Sequence, residues 1–276
     1  MKYTFGLISK IGALVVAVLV LFTGPQAQAA GACGSTALAH RGAWTHRIDE
    51  NTTRAIDRAH RLRAYTENDV WLTADGHFLI IHNRSLRPTT NCTGDVANRR
   101  FSYIRQHCRT TPNHMRIPTA LEAFRTLRHN HGQLMNLEVK GPGWFQNGNA
   151  KLKGISRAAR QTGVLGRVYF SNDTGYRILT ALKHSAPHAR TAWKPDGHER
   201  HFTIAHARRL SANAVMAKPR QWSSKAKVHR FKRAGFKAWA SVNNNHRTWK
   251  RNWQRGIGAQ LTGHPRDYRQ WCNRIG

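Results

Sequence analysis

Two short β-prone stretches in the first third of the chain carry its clearest pattern of polar and apolar positions. Residues 65–72 read YTENDVWL and residues 77–82 read HFLIIH, and both are typical of strands. The Ala74-Asp75-Gly76 segment between them indicates a tight hairpin turn. Because alternate side chains of a strand share a face, the pattern predicts that Glu67 and Asp69 project together.

Most of the remaining chain alternates predicted helices with predicted strands. One helix opens at Glu50 and Asn51, and Asn51 is either its N-cap or a site residue. Another begins at Thr119, which is spaced from Glu122 as a capping box, with Leu121, Phe124 and Leu127 as its apolar stripe. Further strands are predicted at 168–171, 214–216, 236–239 and 257–262, with helices near 176–183 and before Gly235. Strands that alternate with helices favour a mostly parallel sheet.

Acidic residues are rare in this chain. Only 13 Asp and Glu stand against 45 Lys and Arg, which gives a net charge of +32. Glu67 and Asp69 could therefore be surface ion pairs with nearby arginines. If they are buried, two adjacent carboxylates repel each other unless a cation neutralises them, and a hard divalent ion is the natural partner.

Two further segments place candidate residues near the same point. The predicted hairpin can return His82 to the neighbourhood of Glu67 and Asp69. Residues 137–140 read LEVK, which puts an acid and a cation on one face of another segment. Glu138 is therefore a third candidate metal ligand, and Lys140 is a candidate phosphate contact.

The N-terminal segment has the features of a secretory signal peptide. Lys2 and Lys10 precede an apolar run over residues 11–22, and Ala27-Gln28-Ala29 forms a cleavage signal. The apolar run is too short to span a bilayer. Cleavage would leave residues 30–276, close to the length of about 250 residues that is usual for one TIM barrel. No later segment has the pattern of a transmembrane helix, so we expect a secreted, soluble chain.

Several motifs in the first half of the chain occur together in the order that one enzyme family uses. They are HRG at 40–42, ENT at 50–52, ExDVxLTxDG at 67–76 and a histidine at 82. On these motifs the chain resembles the glycerophosphodiester phosphodiesterase family, and residues 117–119 are similar to the family's IPT motif. The resemblance is strong over 38–140 and weaker afterwards. Asn83 stands where the family usually has Asp, and the TGHP segment at 262–265 lacks the family's usual acid.

The resemblance implies both a fold and a set of site residues. The fold is a single-domain α/β TIM (β/α)8 barrel with its site at the C-terminal strand ends and a small insertion after the second strand region. Trp239 would either wall the substrate pocket or pack in the core. The implied roles are His40 and His82 as the acid/base pair, Glu67, Asp69 and Glu138 as ligands of Mg2+ or Ca2+, and Arg41 and Lys140 as phosphate contacts.

The implied function is metal-dependent hydrolysis of glycerophosphodiesters to glycerol phosphate and an alcohol. One alternative is a phospholipase D or sphingomyelinase D type of activity on intact lipids, although the intact HRG and ENT motifs favour the first activity. Another alternative is a cationic protein that keeps the barrel but only binds anionic polymers. The high positive charge predicts electrostatic association with anionic envelope polymers or membrane surfaces, without specific recognition of nucleic acid.

The four cysteines predict two disulfide bonds in an exported protein. Four cysteines allow three connectivities, and none has the close CxxC spacing of a zinc site. Cys92 and Cys108 bracket a polar, arginine-rich connection, whereas Cys33 and Cys272 lie near the two ends of the mature chain. Since the first and last units of a closed barrel are neighbours, we expect the pairs Cys92–Cys108 and Cys33–Cys272.

Overall fold

Eight parallel strands close into a barrel in the computed structural model, which describes residues 33–141, 143–145, 149–172, 177–195 and 202–276. The predicted signal peptide lies outside these ranges. The barrel strands are β1 (Thr36–Ala39), β2 (Tyr65–Leu72), β4 (Met135–Val139), β5 (Val168–Ser171), β6 (Arg190–Trp193), β7 (Ala214–Ala217), β8 (Lys237–Ala240) and β9 (Ala259–Thr262), and β3 (Phe78–Ile80) lies outside the barrel. The barrel closes because β1 pairs in parallel with both β2 and β9. The predicted TIM barrel is confirmed.

Helices follow the barrel strands and cover the outside of the sheet. Within the described ranges they are α1 (Thr53–Arg61), α2 (Phe101–His107), α3 (Ala120–His129), α4 (Ala150–Gln161), α5 (Arg177–Ser185), α6 (Ile204–Arg209), α7 (Lys225–Arg233), α8 (His246–Gln254) and α9 (Pro265–Ile275). The predicted capping box at the start of α3 is confirmed, with Thr119 and Glu122 bonded reciprocally. Leu121 is exposed, so its assignment to the apolar stripe was wrong; Ala120 and Ala123 complete the buried face.

The main core lies between the strands and their covering helices. Leu137 and Val139 of β4 pack with Phe124 of α3 and Ile155 of α4 in one fully buried cluster. The alternate residues of β4 turn the other way, into the barrel, which frees Glu138 for the site. Among the described residues, no helix is long and apolar enough to cross a membrane.

The predicted hairpin is confirmed and leads into the predicted insertion. β3 returns antiparallel to β2, with Val70 opposite Ile80, and the turn is made at Gly76, whose φ of 78° lies in the left-handed region. Residues 83–116 then leave the barrel, form α2 and return to α3. This excursion packs its own apolar cluster, which includes Leu86 and Ile104.

Both predicted disulfide pairs are confirmed. Cys33 is bonded to Cys272 on α9, which ties the segment before the first strand to the last helix. Cys92 is bonded to Cys108 within the insertion, across a sequence separation of 16 residues.

The insertion's disulfide should contribute measurably to stability. In the chain-entropy model, a cross-link that closes a loop of this length stabilises the folded protein by about 3 kcal/mol, because it restricts the unfolded chain. We expect the double variant Cys92→Ser/Cys108→Ser to lower the free energy of unfolding by about that amount, measured by urea denaturation. An unchanged free energy of unfolding would show that the cross-link does not restrict the unfolded chain.

Candidate active site

The polar residues that end the barrel strands line one cavity of about 360 Å³. His40 directly follows β1, Lys140 follows β4, and His82 lies beyond the end of β3. Lys194, Lys218 and Ser241 follow β6, β7 and β8 and line the same cavity. In TIM barrels this C-terminal face of the strands carries the catalytic residues.

Three buried carboxylates form the centre of the site. Glu67 and Asp69 lie two residues apart on β2, and Asp69 stands opposite Glu138 of the neighbouring strand β4. One oxygen from each of the three lies within 4.8 Å of the others. Oxygen atoms on opposite sides of a Ca2+ ion are separated by about 4.6–5.2 Å, since each lies 2.3–2.6 Å from the ion. The donor set therefore suits a hard divalent cation.

The HRG motif holds Glu67 in place through its backbone. The Arg41 amide donates a hydrogen bond of 2.9 Å to Glu67 Oε2, and the Gly42 amide donates one of 3.0 Å to the Glu67 carbonyl. Gly42 has a φ of 79°, and a Cβ there would lie 2.7 Å from the Ala55 Cβ. Only glycine combines this conformation with this close approach.

Asn51 holds the second carboxylate, Asp69. Its Nδ2 donates a hydrogen bond of 3.0 Å to Asp69 Oδ2, and its Oδ1 accepts one of 3.1 Å from the Asp69 amide. The N-cap of α1 is the next residue, Thr52, which accepts a hydrogen bond from the Ala55 amide. Of the two roles considered for Asn51, the N-cap role is therefore wrong.

Asn51 and Thr52 provide a matched pair of variants. We expect Asn51→Gly to weaken divalent-metal binding by about 10–100-fold, because partners that orient metal ligands contribute on that scale. Glycine also tolerates the φ of 54° at this position. We expect Thr52→Ala to lower the free energy of unfolding by about 1 kcal/mol and to leave metal affinity unchanged. Calorimetric titration with the metal would distinguish the two, and equal affinity losses would contradict the assignment.

Burial and charge act differently on the three acids. Burial, together with the neighbouring carboxylates, raises the pKa of Glu67 well above its usual range. Burial also raises the pKa of Asp69, although Lys140 opposes the effect. Burial acts in the same direction on Glu138, but Lys194 and Lys140 outweigh it and lower its pKa to about 2.

Two lysines and one arginine surround the carboxylates. Lys140 pairs with Glu138 and lies 3.4 Å from Asp69 Oδ1, and Lys194 pairs with the other oxygen of Glu138. The Arg41 guanidinium makes two hydrogen bonds of 3.0 Å with Glu50. Its buried Nε lies 4.0 Å from Asp69 Oδ2 and has no hydrogen-bond partner within the described structure.

The two candidate catalytic histidines line the same cavity in different surroundings. Burial and the nearby Arg41 and His82 lower the pKa of His40 to about 4, so this ring is neutral near pH 7. His82 Nδ1 lies 2.9 Å from Asn83 Oδ1. Since an amide oxygen can only accept, Nδ1 carries a proton and Nε2 is left to exchange protons with a ligand. Asn83 thus orients the ring without adding a charge.

The structure distinguishes the two positions that the sequence allows for Trp239, and it adds one residue that the sequence did not predict. Trp239 packs with Met216 and Leu261 in a buried cluster inside the barrel and does not line the described cavity. Lys194 was missed, because the four-residue strand β6 that carries it was not predicted. The available signal was the short segment RTAW directly followed by lysine, a pattern that suits a barrel strand ending at the active-site face.

The model of the glycerophosphoryl diester phosphodiesterase family matches residues 40–266. The chain belongs to this family. Members of the family generally depend on a divalent metal, and the buried acidic triad could bind one. The glycerophosphodiester phosphodiesterase of Caldanaerobacter subterraneus subsp. tengcongensis is 31% identical over 163 residues, which cover 55% of this chain and 63% of the relative. Glycerophosphodiester phosphodiesterase 1 of Bos taurus is 33% identical over 113 residues, which cover 38% of this chain and 34% of the relative.

Solved structures of the family share the fold. A glycerophosphodiester phosphodiesterase from Parabacteroides distasonis has a TM-score of 0.76 at 14% identity, covering 88% of this chain and 98% of that one. An Oleispira antarctica phosphodiesterase in complex with the product sn-glycerol-3-phosphate has a TM-score of 0.67 at 22% identity, covering 86% and 96%. At such identities the likeness shows the fold alone.

Proposed function

We propose that the chain is a secreted, metal-dependent phosphodiesterase that hydrolyses glycerophosphodiesters to glycerol phosphate and an alcohol. The observation that carries this proposal is the buried triad of Glu67, Asp69 and Glu138 in the same barrel mouth as His40 and His82. The proposal includes a cleaved signal peptide over residues 1–29 and one catalytic domain over 30–276. Family membership and a relative solved with sn-glycerol-3-phosphate support the substrate class.

The three carboxylates would hold Mg2+ or Ca2+. When bound, such an ion offsets the charge of the phosphodiester and of the oxygens that become more negative in the transition state. Lys140, Lys194 and the free Nε of Arg41 add positive charge at the same place. These groups lie in a mostly buried setting, where a fixed charge acts more strongly than it does in water.

The two histidines would move the protons. His40 is neutral near pH 7 because of its low pKa, so it can accept a proton from the attacking hydroxyl, whether that belongs to water or to the substrate. His82, with both ring nitrogens protonated, would give its Nε2 proton to the departing alkoxide on the other side of the phosphate and be left neutral with its proton on Nδ1. A positioned acid or base of this kind typically contributes about 10²–10⁴-fold to the rate.

A phosphodiester panel assayed with and without EDTA tests this function. It should contain glycerophosphocholine, glycerophosphoglycerol, lysophosphatidylcholine and sphingomyelin. We expect chelator-sensitive release of glycerol phosphate from the first two. Turnover of the two lipids alone would replace the proposal with a phospholipase D or sphingomyelinase D type of activity. If no substrate is turned over, the interpretation that remains is a cationic protein that only binds anionic polymers.

The positive charge supports a second part of the proposal, which is association with anionic polymers or membrane surfaces. The net charge of +32 is spread along the chain, and residues 202–276 contain a single acid, Asp267. Adsorption to anionic vesicles should therefore weaken as salt screens these charges, whereas turnover of small soluble substrates should depend less on salt. Adsorption that stays constant across a salt titration would contradict this part.

A further inference from the structure

A second cleft, of about 490 Å³, adjoins the catalytic cavity. We name it the outer cleft and define it by Trp71, Thr73, Gly76, Ala97, Gly141 and Lys151. Lys140 lines both the outer cleft and the catalytic cavity. A ligand whose phosphate lies at Lys140 could therefore extend one end into the outer cleft.

Trp71 connects the outer cleft to the catalytic residues. It follows Asp69 on the same face of β2, and its Nε1 donates a hydrogen bond of 2.9 Å to the carbonyl of His82. Its ring packs so closely on Gly141 that a Cβ there would lie 2.6 Å from it. The indole is only partly buried, so it offers a fixed apolar surface in the outer cleft.

Lys151 supplies the positive charge of the outer cleft. Its amine lies 3.4 Å from the Gly76 carbonyl oxygen, and a Cβ at residue 76 would lie 1.9 Å from the amine. Because residue 76 is a glycine, the Lys151 amine has room to lie against the hairpin turn. Among the described residues, no carboxylate forms an ion pair with Lys151.

The acid that also lines the outer cleft, Asp75, is already engaged. Its Oδ1 accepts hydrogen bonds of 2.6 Å from the Thr73 hydroxyl and 3.0 Å from the Phe101 amide, and it lies 3.4 Å from His77 Nδ1. These donors stabilise its ionised form and hold it in the hairpin turn. Because Lys140 already pairs with Glu138, a ligand in the outer cleft would take its positive partner from Lys151.

The insertion supplies one wall of the outer cleft. Ala97 lies in the loop that the Cys92–Cys108 disulfide closes, and the Ala74 amide donates a hydrogen bond of 2.9 Å to the Arg99 carbonyl. The loop is thereby attached to the hairpin turn. This gives the excursion from the barrel a role in shaping the space beside the catalytic cavity.

We propose that the outer cleft is a subsite for a leaving alcohol that carries a second phosphate, which Lys151 binds while Trp71 contacts the carbon skeleton. This inference rests on the proposed function and names the substrate class that the site favours. Lys151 gives a phosphate a charge-assisted hydrogen bond. The same amine repels the ammonium of an ethanolamine or choline alcohol. The second phosphate can be terminal or an internal diester of a glycerol phosphate oligomer.

Kinetics of Lys151→Gln test the subsite, with Lys153→Gln as the matched control, since Lys153 is an exposed lysine two residues further along the same helix. The substrates are glycerophosphoglycerol, its phosphorylated analogue glycerophosphoglycerol phosphate, and a glycerol phosphate oligomer. We expect Lys151→Gln to raise KM about tenfold or more for at least one of the two substrates with a second phosphate, since hydrogen bonds to charged groups contribute on that scale. The kcat values and the KM for glycerophosphoglycerol should change less than about twofold, because such a contact binds ground state and transition state alike.

Three results would overturn the subsite: an equal change for all substrates, no change for either substrate with a second phosphate, or an equal effect of Lys153→Gln. Lys151→Arg, which keeps the charge, should restore most of the affinity. Direct binding of glycerol 1,3-bisphosphate, measured by calorimetry, does not require turnover. If the wild type hydrolyses nothing, the proposed function fails, but a loss of this binding in Lys151→Gln would still support the subsite, and unchanged binding would overturn it.

Discussion

Replacing Glu67 with glutamine should abolish metal-dependent hydrolysis while making the metal-free protein more stable. Glutamine has nearly the same shape and can still accept the Arg41 amide hydrogen bond, so the barrel should fold. The substitution removes one of three negative groups from a buried cluster in which burial and the other acids raise the pKa of Glu67. Without a cation, the cluster opposes folding whenever all three acids are ionised.

The activity loss should be large. Partners that merely orient a metal ligand contribute about 10–100-fold, so loss of a ligand should cost about 10²-fold or more. Asp69→Asn should have the same effect on activity. The decisive measurement is the thermal unfolding midpoint with EDTA and with a saturating divalent metal, since a ligand that binds only the folded state raises the midpoint.

The wild type should therefore gain stability from the metal, and Glu67→Gln should not. Asp267→Asn is the control, because this acid lies on the exposed part of α9 with its side chain 58% accessible. It should keep both the activity and the metal-induced shift. A full metal-induced shift in Glu67→Gln would show that the triad is not the metal site.

Local pattern was sufficient to predict much of this site. The two-residue spacing of Glu67 and Asp69 fixes their common face, and the hairpin at Gly76 determines that His82 returns along β2. The third acid, Glu138, could be predicted because it lies in a β-prone run whose alternate residues are apolar. In each case neighbours in sequence decide the geometry.

The contacts that could not be predicted from the sequence join elements that lie far apart along the chain. Lys194 reaches Glu138 across 56 residues, and the strand that carries it has only four residues, too few for a clear periodic signal. Trp239 lies in a strand that was predicted, but the depth of its side chain depends on how Met216 and Leu261 pack around it. Likewise, the engagement of Arg41 with Glu50 depends on where α1 sits against β2.

Alanine at either proposed catalytic histidine, His40 or His82, should lower the rate by about 10²-fold or more, which is the usual scale for losing a positioned acid or base. The His40 ring has a pKa of about 4, so it is protonated only as the pH falls toward that value. Its contribution as a base should therefore persist through neutral pH and be lost only at strongly acidic pH. His264→Ala is the control, because this half-exposed histidine does not line the described cavity.

Two substrates with different leaving groups can distinguish the acid from the base among the two histidines. A nitrophenolate departs without help from an acid, whereas an alkoxide needs a proton as it leaves. If His82 is the acid, His82→Ala should lose about 10²-fold or more on glycerophosphoglycerol but much less on glycerol 3-(4-nitrophenyl phosphate). His40→Ala should lose a similar factor on both substrates, because the nucleophile still needs a base. The reverse pattern would exchange the two roles, and equal losses in both variants on both substrates would mean that neither histidine protonates the leaving group.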